Sequence, residues 1–267
     1  MGLRESVTVG PQEGPGKPFL RLDDVRKHFG GVHAVDGVTA DVREGELVGL
    51  IGPNGSGKTT LFNVISGVHK PDGGAILFQG ERMDALEPNE IFARGVVRCF
   101  QNPRLFRGMT VLENALVPPR GQIGEKARHA AFPSRWTDQE LRLAAKGLQT
   151  LAAQQLAGVR SHWSGEISGG QMKLLEVSRA LMGEPRLLLL DEPTAGVAPK
   201  LAGDIFEGIV RLQKDLGLTF VVIEHRLEVL FDYVERVLVM HQGKILFSGH
   251  PDEAVKDPNV VDAYLGE

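Results

Sequence analysis

The stretch Gly52-Pro53-Asn54-Gly55-Ser56-Gly57-Lys58-Thr59-Thr60 fits the pattern G-x-x-x-x-G-K-[ST]. It stands between an apolar run, Leu47–Ile51, and a segment that reads as a helix from Lys58 to Gly67. That strand-to-helix setting is what gives the pattern its meaning. Phosphate oxygens need several backbone N–H donors converging at short range, and side chains at Gly52, Gly55 and Gly57 would obstruct them. The helix N-terminus adds partial positive charge and Lys58 a full one, while the Thr59 hydroxyl can ligate Mg2+. A second glycine pair lies in Ile167-Ser168-Gly169-Gly170-Gln171, where Ser168 reads as an N-cap and the glycines bare backbone donors at a positive helix end. Alone, this is also what a routine helix cap looks like. Beside the first cradle, it asks why one chain should hold two phosphate-ready helix ends. A third element is Leu187-Leu188-Leu189-Leu190-Asp191-Glu192-Pro193, which pushes two acids out where a buried strand stops. Adjacent carboxylates at a strand end can divide the work, one holding Mg2+ and the other orienting and deprotonating a water. Read without the other motifs, Asp-Glu-Pro equally describes a solvated turn.

These residues need a scaffold, and the pattern around them supplies one. Strand-like runs occur at Phe19–Val25, at Val38, Ala40 and Val42 in alternation, at Leu47–Ile51, and at Ala75–Phe78. They return at Leu187–Leu190, Thr219–Ile223 and Arg236–Met240, and Gln242-Gly243 reads as a tight turn into Lys244–Phe247. A helix is expected from about Pro199 to Leu216, closed by Gly217. From about Pro103 to Gly183 the pattern is helical. Thr110…Glu113 and Thr137…Glu140 both match the capping box. The second is expected to open a helix ending at Gly158, with Leu141, Ala144, Ala145, Leu148, Ala152 and Leu156 on its apolar stripe. Strands alternating with helices imply a largely parallel sheet. The helical stretch then reads as an insert in a two-lobed α/β protein, preceded by a flexible tail at residues 1–17.

Composition narrows the rest. A chain of 267 residues with 42% hydrophobic and 24% charged residues can bury a sizeable core. Its net charge of −4 gives no general attraction to nucleic acid or anionic lipid. One cysteine, Cys99, rules out an internal disulfide framework. No apolar run approaches the roughly 18 residues that cross a bilayer, and the N-terminus has no apolar signal core. The expectation is a soluble, cytoplasmic protein.

In this order the motifs resemble the nucleotide-binding subunits of ABC transporters, from about Phe19 to Glu267. The phosphate loop, Ile167–Gln171 close to the family's Leu-Ser-Gly-Gly-Gln signature, the acid-ended strand, Gln101 in Phe-Gln-Asn and His225 in Ile-Glu-His carry the resemblance. It implies an α/β P-loop NTPase fold: a RecA-like core with a mostly parallel sheet, an antiparallel N-terminal β-subdomain, a helical subdomain at about 103–183 and C-terminal strands and helix at about 234–267. It implies ATP and Mg2+ as ligands. Gly52, Pro53, Asn54, Gly55, Ser56, Gly57, Lys58, Thr59 and Thr60 would hold the triphosphate. Thr59, Gln101 and Asp191 would serve the metal. Glu192 would polarise the attacking water, with His225 and Lys58 on the γ-phosphate, and Phe29 would stack on adenine. Two such subunits would pair head to tail, so that Ser168, Gly169, Gly170 and Gln171 complete the partner's site.

Several stretches narrow the resemblance to the ATPase subunits of branched-chain amino acid importers and relatives that handle urea or short amides. They are Lys27–Val38, Phe100–Asn114, Val222–Leu230 and Asp257–Glu267. The implied partners are a transmembrane permease docked near Gln101–Phe106, a second ATPase subunit, and indirectly a solute-binding protein. The implied location is the inner face of the membrane. No nucleic-acid partner is expected. A non-transport ABC ATPase would carry coiled-coil arms, zinc modules or a second cassette, none of which the sequence shows. One departure from the family pattern is Ala195-Gly196-Val197-Ala198, which ends without the acidic side chain common there.

Overall fold

The computed structural model describes residues 17–265. The expected N-terminal tail, apart from Lys17, lies outside the described residues. Strands β1 (Leu20–Phe29) and β2 (Val32–Val42) open the chain, followed by β3 (Leu47–Ile51) and helix α1 (Lys58–Ile65). Next come β4 (Gly73–Phe78), the two-residue β5 (Glu81–Arg82), α2 (Pro88–Ala93) and β6 (Val96–Cys99). Between β6 and the next strand the ordered elements are helical: α3 (Val111–Ala115), α4 (Ala127–Ala130), α5 (Thr137–Ala153) and α6 (Gly169–Met182), with short 3-10 turns between. The chain closes with β7 (Leu187–Asp191), α7 (Pro199–Leu216), β8 (Thr219–Ile223), α8 (Leu227–Leu230), β9 (Arg236–His241), β10 (Lys244–Gly249), α9 (Pro251–Ala254) and α10 (Pro258–Leu265).

Two sheets result. The smaller is antiparallel, in the order β2-β1-β4-β5; the larger runs β10-β9-β3-β8-β7-β6. In the larger sheet every pairing is parallel except β9 with β10, which the Gln242-Gly243 turn joins as a hairpin. Both turn residues have positive φ, 47° and 78°, the conformation a two-residue hairpin demands. Strands β3, β7 and β8 are buried at every position, as expected of central strands covered on both faces. Leu187–Leu190 expose none of their surface, each side chain contributing roughly 1.5–3 kcal/mol of burial.

This order places the chemistry. Parallel strands end on one edge, and neighbours lie about 4.8 Å apart. Taken across the sheet, β3, β8, β7 and β6 deliver to that edge the glycine loop, His225, the Asp191-Glu192 pair and Gln101, in that sequence. Four segments remote along the chain thus become a row.

The helical insert departs from expectation in two places. Helix α5 begins at Thr137 itself, with Trp136 as N-cap and no side-chain cap bond. A 3-10 turn at Pro133–Arg135 precedes it, and the Thr137 hydroxyl is spent donating to the Pro133 carbonyl at 2.8 Å. Thr137 thus lies inside the helix and Trp136 takes the N-cap position, so the expected capping box does not form. The helix also ends at Ala153 rather than Gly158, because Gln155 takes φ 58° and turns the chain. Its buried face is centred on Gly147 and Leu151, while Leu141 and Leu148 are exposed. The expected stripe is thus about one residue out of phase. The reason is Gly147: a Cβ there would lie 3.1 Å from Leu116 and 3.4 Å from Leu112, so the helix approaches α3 closely at its smallest residue, with Leu151 packed into the same cluster. The Thr110 capping box forms as expected, with Thr110 Oγ1 accepting from the Glu113 N–H.

Candidate functional site

Residues 52–57 leave the end of β3 as a loop that closes onto α1. Gly52 has φ 145° and a Cβ there would sit 2.0 Å from the Met240 carbonyl oxygen; at Gly57, φ 104°, it would sit 2.1 Å from that of Ala34. These two glycines are fixed by the backbone of β9 and β2 pressing on the loop, a constraint separate from the expected one of keeping side chains away from phosphate. Gly55 meets nothing within 4 Å and is required by its φ of 74° alone. Pro53 and Ser56 are buried, Asn54, Gly55 and Thr59 are exposed, and Thr60 is half-buried. Lys58, 6% exposed, turns its ammonium onto the loop, donating to the carbonyls of Gly52 at 2.7 Å and Pro53 at 2.8 Å. The loop is held as a cradle by its own lysine.

Beside it, Glu192 gathers the other expected catalytic residues. Its carboxylate accepts from Gln101 Nε2 at 2.6 Å on one oxygen and lies 3.0 Å from His225 Nε2 on the other. Gln101 and His225 are 91 and 33 residues away, so this contact is purely a product of strand order. Glu192 itself has φ 50°, a left-handed conformation uncommon for a side chain of this size. Two bonds hold it there: its N–H donates to the Ile223 carbonyl at 2.9 Å, and its carbonyl accepts from Lys173 Nζ at 2.9 Å. Burial holds the Lys173 ammonium below the ordinary lysine value, against the opposing pull of Glu224, Glu176 and Glu192. Asp191, the last residue of β7 and 6% exposed, pairs with Arg98 Nη2 at 2.8 Å through Oδ2.

Three further acids and bases were not anticipated. Glu224, 2% exposed, accepts from the Thr194 N–H and hydroxyl and from the His225 N–H, tying the end of β8 to the loop after Glu192. Glu176 on α6 accepts from the Phe100 N–H at 2.9 Å, one residue before Gln101, and burial raises its carboxyl above the ordinary range. Arg98 interrupts the apolar strand β6, and a charge in a buried strand is the signal that could have revealed its counter-ion. Phe29 stands at the tip of the β1–β2 hairpin, 45% exposed, edge-on to His69 with ring centroids 5.2 Å apart.

Ser168 caps α6 with Gln171 in a reciprocal pair: Ser168 Oγ accepts from the Gln171 N–H at 3.3 Å and Gln171 Oε1 from the Ser168 N–H at 2.9 Å. Gly170 is held against α7, where a Cβ would lie 2.4 Å from Leu201; Gly169 faces open space and, like Ser168, is exposed. The Glu192 cluster does not include these residues. They form a separate, outward-facing helix end, while Lys173 two positions on reaches inward to Glu192. Between the core and the helical insert runs a groove lined among others by Val68, Phe92, Arg98, Phe100, Arg104 and Arg179. Arg104 stacks over the Phe100 ring at 4.0 Å, and its carbonyl accepts from Arg179 Nη1. Among the described residues no helix is long and apolar enough to cross a membrane.

Comparison with known proteins agrees with this fold. The ABC transporter family profile matches residues 35–195. The chain is 42% identical over 255 residues to the "Probable branched-chain amino acid transport ATP-binding protein LivG" of Methanocaldococcus jannaschii, covering 93% of this chain and 98% of that one. It is 37% identical to the "High-affinity branched-chain amino acid transport ATP-binding protein BraF" of Pseudomonas aeruginosa, covering 94% and 99%. Among solved structures it superposes on the ADP conformation of an ATP-binding cassette of an ABC transporter with TM-score 0.81 and 40% identity, covering 94% of this chain and all of that one. A dimeric bacterial ABC transporter cassette matches at TM-score 0.72 and 27% identity, covering 87% and 98%.

Proposed function

The chain belongs to the ABC transporter ATP-binding family and is a transporter ATPase, and from that premise we propose that it hydrolyses two ATP molecules sandwiched between paired subunits to drive import of branched-chain amino acids. The observation that carries the reading is the row at the sheet edge: cradle, His225, Asp191-Glu192 and Gln101, with Glu192 touching both Gln101 and His225.

In this reading residues 52–60 bind the triphosphate through backbone N–H groups, and Lys58 leaves the loop carbonyls for the β- and γ-phosphates. Thr59, Gln101 and Asp191 are oxygen donors of the kind Mg2+ takes, and a rigid glycine cradle beside them fits a metal-bound triphosphate. Bound there, Mg2+ would neutralise charge on the β- and γ-phosphate oxygens. Glu192 orients and deprotonates the attacking water, with Gln101 and His225 fixing its carboxylate. Phe29 stacks on adenine, for which its ring suffices.

The helix end at Ser168, Gly169, Gly170 and Gln171 faces outward, and supports a site completed in trans. Each ATP would bridge one subunit's cradle and the other's α6, closing the pair; loss of the γ-phosphate would open it. The core, the N-terminal β-subdomain, the helical subdomain at about 103–183 and the C-terminal segment at about 234–267 then divide binding from coupling. The groove near Gln101–Phe106 would receive a permease element, placing the subunit on the inner face of a membrane with a solute-binding protein acting indirectly. The cargo rests on the names of relatives. Uptake of labelled leucine, urea and acetamide by cells with and without the gene separates them: loss of leucine uptake alone supports the reading, and loss confined to urea or acetamide overturns it. Arg104→Glu with Arg107→Glu should abolish co-purification with the permease; retention would remove the groove from the account.

A further inference from the structure

Arg98 lies on β6 among buried neighbours, and its side chain is 5% exposed. The β6–β7 register places it opposite Leu189, so it and Asp191 share a face of the sheet one diagonal step apart. The guanidinium spends Nη2 on Asp191 Oδ2 at 2.8 Å and donates from Nη1 to Asn63 Oδ1 on α1, the helix that begins with Lys58. It is flanked by Phe100 and Phe62, at 4.7 and 5.8 Å from their ring centroids, and its Nε has no hydrogen-bond partner among the described residues.

A buried ion pair of this kind is worth little as stability, since a packed apolar pair does about as well. What the arrangement does supply is direction. One oxygen of Asp191 is fixed on an arginine that is itself fixed to the phosphate-loop helix, which leaves Oδ1 outside the ion pair. We propose that Arg98 is a positioning residue that sets the Asp191 carboxylate for the metal of the bound nucleotide and ties it to the phosphate-loop helix. The proposal rests on the reading of Asp191 as a metal-holding group. Without Arg98 the buried carboxylate loses its partner and its fixed direction, and a carboxylate free to swing holds the metal less firmly.

The test uses the full chain with a non-hydrolysable ATP analogue and Mn2+ as probe, free Mn2+ being read by electron paramagnetic resonance. Arg98→Met should weaken Mn2+ binding in the analogue complex about tenfold or more, the scale on which partners of metal ligands act. Analogue affinity in EDTA should match the parent, and Arg98→Lys should recover most of the metal affinity. A normal or tighter Mn2+ affinity in Arg98→Met, with Asp191→Asn defective, overturns the proposal alone. A normal Asp191→Asn overturns the reading beneath it. If Arg98→Met does not fold, Asn63→Ala, which frees the arginine from α1 but keeps the ion pair, should give a smaller weakening in the same direction; no change there overturns the proposal.

Discussion

Replacing Lys173 by Met removes the ammonium that donates to the Glu192 carbonyl at 2.9 Å while keeping an unbranched chain of similar length. A hydrogen bond from a charged donor contributes about 1.5–3 kcal/mol. The left-handed φ of 50° at Glu192 costs a non-glycine residue roughly 1–3 kcal/mol unless its surroundings hold it. The two are the same size, so losing the bond is enough to let the Glu192 backbone relax. Folding itself should suffer less. Burial lowers the Lys173 pKa, so folding disfavours its charge; its contribution to stability is greatest above the ordinary value of 10.5 and is lost as pH falls through the lowered one. At neutral pH the buried charge is therefore a cost, and Met removes that cost along with the bond. Turnover has no such offset: about 2 kcal/mol of misplacement at the attacking-water carboxylate corresponds to roughly 30-fold in kcat. The assay is Mg-ATP turnover relative to the parent, with Tm and ATP affinity measured alongside. The expected result is the fall in kcat with Tm and ATP affinity nearly unchanged, and partial recovery with Lys173→Arg. A Met variant that turns over within about twofold of the parent at the same Tm refutes the reasoning.

Three other outcomes follow from the same geometry. Glu192→Gln should bind ATP normally, lose about 10²–10⁴ in turnover and accumulate an ATP-dependent dimer on gel filtration; turnover at the parent rate would show that another group activates the water. Phe29→Ala should weaken ATP binding by calorimetry through loss of a base stack of about 1–3 kcal/mol, Phe29→Tyr should not, and equal affinities for all three would remove the ring from the site. Glu176→Gln keeps an oxygen for the Phe100 N–H but no longer buries a charge. Because the folded carboxyl is raised above 4.5, the parent's contribution from this group is full below that value and declines as pH rises through the raised one. The Tm of the Gln variant should therefore gain on the parent as pH rises above 4.5, and a pH-independent difference would argue against burial as the cause.

What the sequence revealed was whatever is contiguous. The glycine loop, the four-leucine strand with its acids, the Ser168 cap and the Gln242-Gly243 turn each carry their geometry in a few adjacent residues. Gln101 and His225 were legible only through family resemblance, because nothing local says that β6 and β8 flank β7. Arg98, Lys173, Glu176 and Glu224 were missed for a related reason. Each is a charge inside or beside an apolar pattern, whose partner is named by sheet order and helix packing and not by spacing. Helix α5 shows the opposite failure. Its leucines suggested a face, but a glycine allowed closer approach and the helix turned to use it.

The most direct measurement is the structure of the ATP-loaded Glu192→Gln assembly, asking which chain touches the γ-phosphate held at Lys58. The account predicts the Ser168 hydroxyl and the Gly169 and Gly170 N–H groups of the opposite subunit within hydrogen-bonding reach of it. If that phosphate is enclosed by one chain alone, with every copy of residues 168–170 remote from it, the shared site does not exist.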